Sequence, residues 1–241
     1  MSSTIFTPNG SRALAMRVGG VSYLRLPVRT RRITEQDDLF ALLGEYVAPH
    51  VESGDVIFVS EKAVALTQGR VVRIDAVQVS ALARVLSGHV RNHVGTAQFR
   101  GFGHGTAPAM QLVIEEAGVL RVLVAATVAA VTRPFGIHGA FYVLVGKRAK
   151  SVDCPMSFDI EPYTAYAKRP PLDPRGVAKK IHSVLGVEAV VVDANYLGAF
   201  SLGKSSARIT ERFIRAVLKD NPAGQADEMT PFLIIRKKQG V

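Results

Sequence analysis

Short runs rich in β-branched residues, each closed by a polar residue or a turn, constrain this chain more than any other feature. Val56 to Val59, Val187 to Val192 and Phe232 to Ile235 are too short for core helices and read as buried strands. Segments of helical period lie between them. Leu39, Leu42, Leu43, Tyr46 and Val47 fall at i, i+3, i+4, i+7 and i+8 behind Asp37 and Asp38, which suit a helix N-terminus. Val79, Leu82, Val85 and Leu86 mark a second helix, and Met110, Val113, Ile114 and Ala117 a third. Two more are marked by Val177, Ile181, Val184 and Leu185, and by Ile209, Phe213, Ile214, Val217 and Leu218. Val71 to Ile74 reads as a strand pairing back on the first, beyond the break at Thr67 to Arg70. Val119 to Val131 fits a strand followed by a small-residue helix, Phe141 to Val145 a strand ending at Gly146, and the stretch before Lys204 a glycine-punctuated loop. This irregular order predicts an α+β fold, mixed sheets with flanking helices, rather than a doubly wound sheet.

Residues 1–20 contain no apolar core of a leader peptide and read as a flexible N-terminal tail. Residues 21–241 read as one domain, divisible into two lobes at a belt, 153–174, that carries prolines 155, 162, 170, 171 and 174. The longest apolar stretch, Val122 to Val131, is closed by Arg121 and Arg133 and is far shorter than the roughly 20 residues a bilayer requires. The lone Cys154 rules out an internal disulfide scaffold. A cytoplasmic protein with no membrane attachment is the expectation.

Lys and Arg number 30 against 20 Asp and Glu, a formal charge of +10. The basic residues are dispersed: Arg29, Arg31 and Arg32; Arg70 and Arg73; Lys147, Arg148 and Lys150; Lys168 and Arg169; Lys179 and Lys180; Arg236 to Lys238. No helix carries a dense basic face, and no basic–aromatic interleave appears, so nucleic acid ranks behind small anions as a partner. With 48% hydrophobic residues, disorder is excluded.

Few residues stand where chemistry is done. Asp193 and Asn195 follow an apolar strand, where oxygen donors suit a hard cation such as Mg2+ or Mn2+, or simply cap a turn. Glu61 and Lys62 sit just past another strand, as a ligand contact or an exposed ion pair. Asp153 precedes Cys154 in a loop and reads first as a turn former. Gly101 to Gly105 is either a flexible turn or a phosphate-facing loop, and matches neither a P-loop nor a dinucleotide fingerprint. His89 and His93 have i, i+4 spacing without a third ligand, which disfavours zinc. Cys154 has no nucleophile context. No catalytic residue is assigned.

Several segments together resemble the coenzyme F420-0:L-glutamate (γ-glutamyl) ligase family and its broader bacterial homologues. They are Leu26-Pro27 before Asp37, Asp38 and Leu39; Gly54 to Lys62 with Gln68 to Arg70; His138-Gly139 with Gly146 as a central strand pair; Val190 to Asp193; and Gly224 to Glu228 with Pro231 and Ile234 to Arg236. The resemblance runs from about Leu26 to Arg236. It implies the ligase fold, an extensive homodimer, and a GTP- or ATP-dependent, Mg2+- or Mn2+-dependent ligase that joins glutamate to a carboxylic acid such as F420-0 through an acyl phosphate. A non-catalytic anion- or nucleotide-binding homologue on the same fold is the alternative. The resemblance implies nucleotide contacts at Leu26, Pro27, Val28, Glu61, Lys62, Ala223, Gly224, Gln225, Ala226, Asp227 and Glu228. It implies metal at Asp193 and Gln225; Asp153 and Asn195 are added because Leu66, Arg148 and Ala194 replace a lysine, a metal-binding aspartate and a threonine of the family pattern.

Overall fold

A computed structural model describes residues 6–90, 105–154, 161–195, 198–224 and 227–238. The chain divides into two units. One combines residues 1–69 with 171–241, and the other is the continuous stretch 70–170.

The first unit is built on a mixed six-stranded sheet in the order β1-β2-β8-β3-β6-β7. Its strands are β1 (Ala15–Val18), β2 (Val21–Val28), β3 (Val56–Ser60), β6 (Glu188–Asn195), β7 (Gly198–Lys204) and β8 (Phe232–Lys237). β3 and β6 run parallel, and every other pairing is antiparallel. Strands β3, β6 and β8 read as apolar because both their faces are covered. Phe58, Val190, Val192, Leu233 and Ile235 point to a core shared with Ile214, Val217 and Leu218 around helix α8 (Glu211–Val217). The alternate residues Ile57, Val59, Val191, Phe232 and Ile234 are equally buried on the other side. Helices α2 (Glu61–Thr67) and α7 (Pro174–Leu185) pack against the sheet.

The first helix is short: α1 (Leu39–Leu42) continues into a π-helical stretch, Leu43–Val47. Asp38 caps it by accepting from the amides of Phe40 and Ala41, both at 2.8 Å. The stretch read as a loose tail differs from expectation. Ala15–Val18 is a strand, because its backbone completes the open edge of β2. The region before Lys204 is likewise strand β7, not a loop. Its residues alternate in burial, and Gly203 lets the first turn of α7 approach: a Cβ there would lie 2.2 Å from the Pro174 carbonyl carbon.

The second unit packs helices α3 (Ala81–Ser87), α4 (Ala107–Ala117), α5 (Val119–Thr132) and α6 (Ala140–Lys150) beside a two-stranded sheet. Its core centres on Met110, Leu112, Val113, Val122, Val145 and Ala149. Three expectations fail here. Val71 to Ile74 gives strand β4 (Val71–Arg73), but its partner is β5 (Tyr166–Lys168), not β3. Val119 to Val131 is one helix with no strand. Phe141 to Val145 is helical, so no central strand pair forms between His138 and Gly146. Gly139 and Gly146, at φ 85° and 87°, bound that helical turn, the non-helical Gly146 separates it from the rest of α6, and Val145 and Ala149, on either side of the break, both enter the core. Among the described residues no helix is long and apolar enough to cross a membrane.

Candidate functional site

The register of the six-stranded sheet decides which polar residues meet. Ser60 of β3 stands opposite Val192 of the parallel strand β6, so Glu61 and Asp193 each lie one residue beyond a paired position on neighbouring strands. On the other side of β3, Val59 stands opposite Phe232, and the Ser60 amide donates to the Pro231 carbonyl at 2.8 Å. Val28 of β2 stands opposite Phe232, and the Thr30 amide donates to the Met229 carbonyl at 2.9 Å. The ends of β2, β3 and β6 and the beginning of β8 therefore share one edge of the sheet. Sequence reasoning placed its nucleotide and metal contacts largely on these stretches.

Local structure explains each position. Ser60 leaves the strand and caps α2, its hydroxyl accepting from the Lys62 amide at 3.3 Å. Glu61 is only 2% exposed, while Lys62 is half-buried. Asp193 and Asn195 sit two apart on β6, so they share a face, with Ala194 on the opposite one. Both are half-buried. Leu26, Pro27 and Val28 have buried side chains paired against Ile234, Leu233 and Phe232, so a ligand near them meets backbone and the exposed Arg29 beyond. Ala223 and Gly224 are half-buried, and Asp227 is exposed. A Cβ at Gly224 would fall 2.2 Å from the Glu228 carboxyl carbon, so a larger residue would displace that acid. Gln225 and Ala226 lie outside the described residues.

Asp153 belongs to the second unit. Its backbone bridges Lys168 in both directions, at 3.0 and 2.8 Å, and its carboxylate pairs with the buried Lys168 ammonium at 3.4 Å. Arg148 is also in this unit, and its Nη2 donates to Glu116 Oε2 at 3.1 Å. Glu116, 6% exposed, also takes Arg70 and, at 3.4 Å, Arg169, which reaches on to Glu115. Burial alone would raise the Glu116 carboxyl. The guanidiniums of Arg148 and Arg70 outweigh it and hold the group below the usual carboxylate range. Nothing in the spacing of Arg70, Glu116, Arg148 and Arg169 announces this cluster, because its members come from four separate segments.

Other candidates fall away or fall outside. Burial pushes the Cys154 thiol up to about 11, so it is a poor nucleophile. His89, just past the end of α3, has its Nδ1 2.9 Å from the Val85 carbonyl. His93 and Gly101 to His104 lie outside the described residues. Among the described residues no three or more His, Cys, Asp or Glu side chains gather closely enough to hold a metal ion by themselves.

The structure defines a mixed α/β protein whose central sheet carries acidic and amide side chains at adjoining strand ends. The chain belongs to the F420-0:gamma-glutamyl ligase family, whose family model covers residues 27–209. That makes it a member of a ligase family tied to F420 biosynthesis. No curated protein matches the chain.

Proposed function

We propose that the chain is a cytoplasmic, nucleotide- and divalent-metal-dependent amide ligase that joins glutamate to a carboxylic acid of the F420-0 type. The observation that carries this reading is the shared sheet edge, where register puts Glu61 beside Asp193 and brings Pro231 onto Ser60. Amide formation from a carboxylate is uphill in water. Transfer of the γ-phosphoryl group of GTP or ATP makes an acyl phosphate, and the glutamate amine then displaces phosphate. Backbone at the end of β2 and the 223–230 loop would position the nucleotide, and Lys62 and Arg29 would meet its phosphates.

The donor set fits the metal. Mg2+ and Mn2+ take oxygen ligands, and Mg2+ binds through one or two carboxylates, completing its shell with water and substrate phosphates. Asp193 and Asn195 carry such donors on one strand face; Gln225, the other ligand the resemblance implies, lies outside the described residues. Asp153 belongs to the other unit, where its carboxylate pairs with Lys168. The metal, when bound, neutralises charge on the transferring phosphoryl group.

Thermal stability with and without GTP or ATP and Mn2+ tests the reading. Saturation at 100 times Kd adds about 2.7 kcal/mol. Incubation with glutamate and candidate acids, read by mass spectrometry, then tests the product. Asp193→Asn should abolish the Mn2+-dependent part of the stabilisation. No stabilisation by any nucleotide–metal pair refutes the proposal. The non-catalytic alternative draws on Arg148, a cation where the family pattern has an acid. Nucleotide binding without any added residue on the acid would favour it.

We also propose that the chain acts as a homodimer. Helix α5 and the segment after it expose Leu120 (77%), Val131 (60%), Phe135 (79%) and Val143 (79%), with Val124 and Ile137 among them. Large exposed apolar patches of this kind mark association surfaces, and a standard interface buries about 800 Å2 per partner. A helix apolar over half its circumference is ordinarily covered.

A further inference from the structure

We infer that residues 9–13 form a clip that holds together the two limbs 221–224 and 227–230, and that Asn9 is thereby a positioning residue for the nucleotide proposed to bind beside those limbs. The ligand in this inference rests on the proposed function; the clip itself does not. Clip and loop both lie outside residues 27–209, the part matched to the family.

Asn9 is 4% exposed. Its side-chain nitrogen donates to the Pro222 carbonyl at 3.0 Å and to Thr230 Oγ1 at 2.8 Å, so one amide joins the two limbs of the loop. The Thr230 hydroxyl in turn donates to the Ala223 carbonyl at 2.6 Å. A hydroxyl already donating, and a carbonyl, both require a donor from their partner, and an aspartate at position 9 would offer only acceptors. Arg12 adds two contacts, to Glu228 Oε1 and to the Asp220 carbonyl, both at 3.3 Å. Arg25, wholly buried, ties Asp220 to the Ala13 carbonyl.

The loop needs such a hold. Asn221 and Met229 adopt φ of 47° and 50°, a left-handed backbone that asparagine tolerates but methionine resists. Strain of this kind persists where surrounding contacts over-determine it, and here many of those contacts come from the clip. Loosening the clip leaves the sheet intact and frees the loop to relax away from its binding geometry.

The test compares Asn9→Asp with wild type in the full chain. Amide hydrogen exchange across 221–230 is measured without ligand, and the Kd of GTP with Mg2+ by titration. Asp55→Asn serves as control, since Asp55 holds Arg236 and the Glu52 amide at the opposite end of β3. Loop exchange about tenfold faster with β3 and β6 unchanged, and a Kd about tenfold higher, are expected for Asn9→Asp and for neither readout in the control. Unchanged loop exchange overturns the clip, and faster exchange with unchanged Kd overturns the positioning role. If wild type binds no nucleotide, the proposed function fails and the positioning role with it, while exchange still decides the clip. If Asn9→Asp does not fold, Arg12→Gln, at a side chain 28% exposed, gives the same comparison.

Discussion

Replacing Glu116 by glutamine should cost far more than its single charge suggests. The carboxylate is 6% exposed and is the common acceptor of Arg70, Arg148 and Arg169, whose side chains are 19%, 53% and 24% exposed. Breaking a fully buried ion pair from one side costs about 3–5 kcal/mol, because the remaining charge is stranded. The three guanidiniums keep partial access to water, and Arg169 keeps Glu115, so about 2–3 kcal/mol is expected for Glu116→Gln. Arg148→Met, which removes the most exposed partner, should cost about 0–1 kcal/mol. Urea denaturation at pH 7 measures both. The carboxyl sits below its usual range when folded, so its stabilisation is full above the unfolded pKa and is lost as pH falls through the folded one. Glu116→Gln should therefore flatten the acid limb of the stability profile relative to wild type. Equal costs for the two variants, or an unchanged acid limb, would refute the convergence of three arginines on one buried acid.

Gly203→Ala should destabilise by about 1–3 kcal/mol in urea denaturation, because the new methyl meets the Pro174 and Arg175 backbone at 2.2–2.4 Å. Asp37→Asn should cost about 1–2 kcal/mol, since Asp37 holds Arg31 together with the Thr34 amide and hydroxyl. Those contacts lower its carboxyl from 3.8 to about 2, so the wild-type advantage disappears as pH falls from about 4 through about 2, readable in acid-denaturation curves. Leu120→Glu with Val131→Glu should halve the mass seen by light scattering if α5 forms the subunit contact, at little cost to the fold of a protomer.

Sequence alone located the strands that later frame the candidate site. Val56 to Val59, Val187 to Val192 and Phe232 to Ile235 are dense in β-branched residues and sit in the middle of the sheet, where that composition is selected on both faces. It misplaced elements whose residues satisfy a different constraint. Phe141 to Val145 has strand-like composition, yet it lies between two positive-φ glycines as a short helical segment that sends Val145 into a core of helices. β7 carries Gly203, which lowers any strand score but makes room for α7. Glu61 and Asp193 were visible as strand-end residues, but only parallel pairing makes them neighbours, and register is a long-range property. Asn9 was invisible because its partners are 213 and 221 residues away.

The position of β8 between β2 and β3 has a consequence for how the protein is made. Strand β8 follows the other described strands in the chain, yet it must be inserted centrally. Until it leaves the ribosome, β2 and β3 each hold a bare hydrogen-bonding edge, and the first unit cannot close, whereas residues 70–170 are already complete. A stop codon placed just before β8 would thus split the sheet in two rather than trim it.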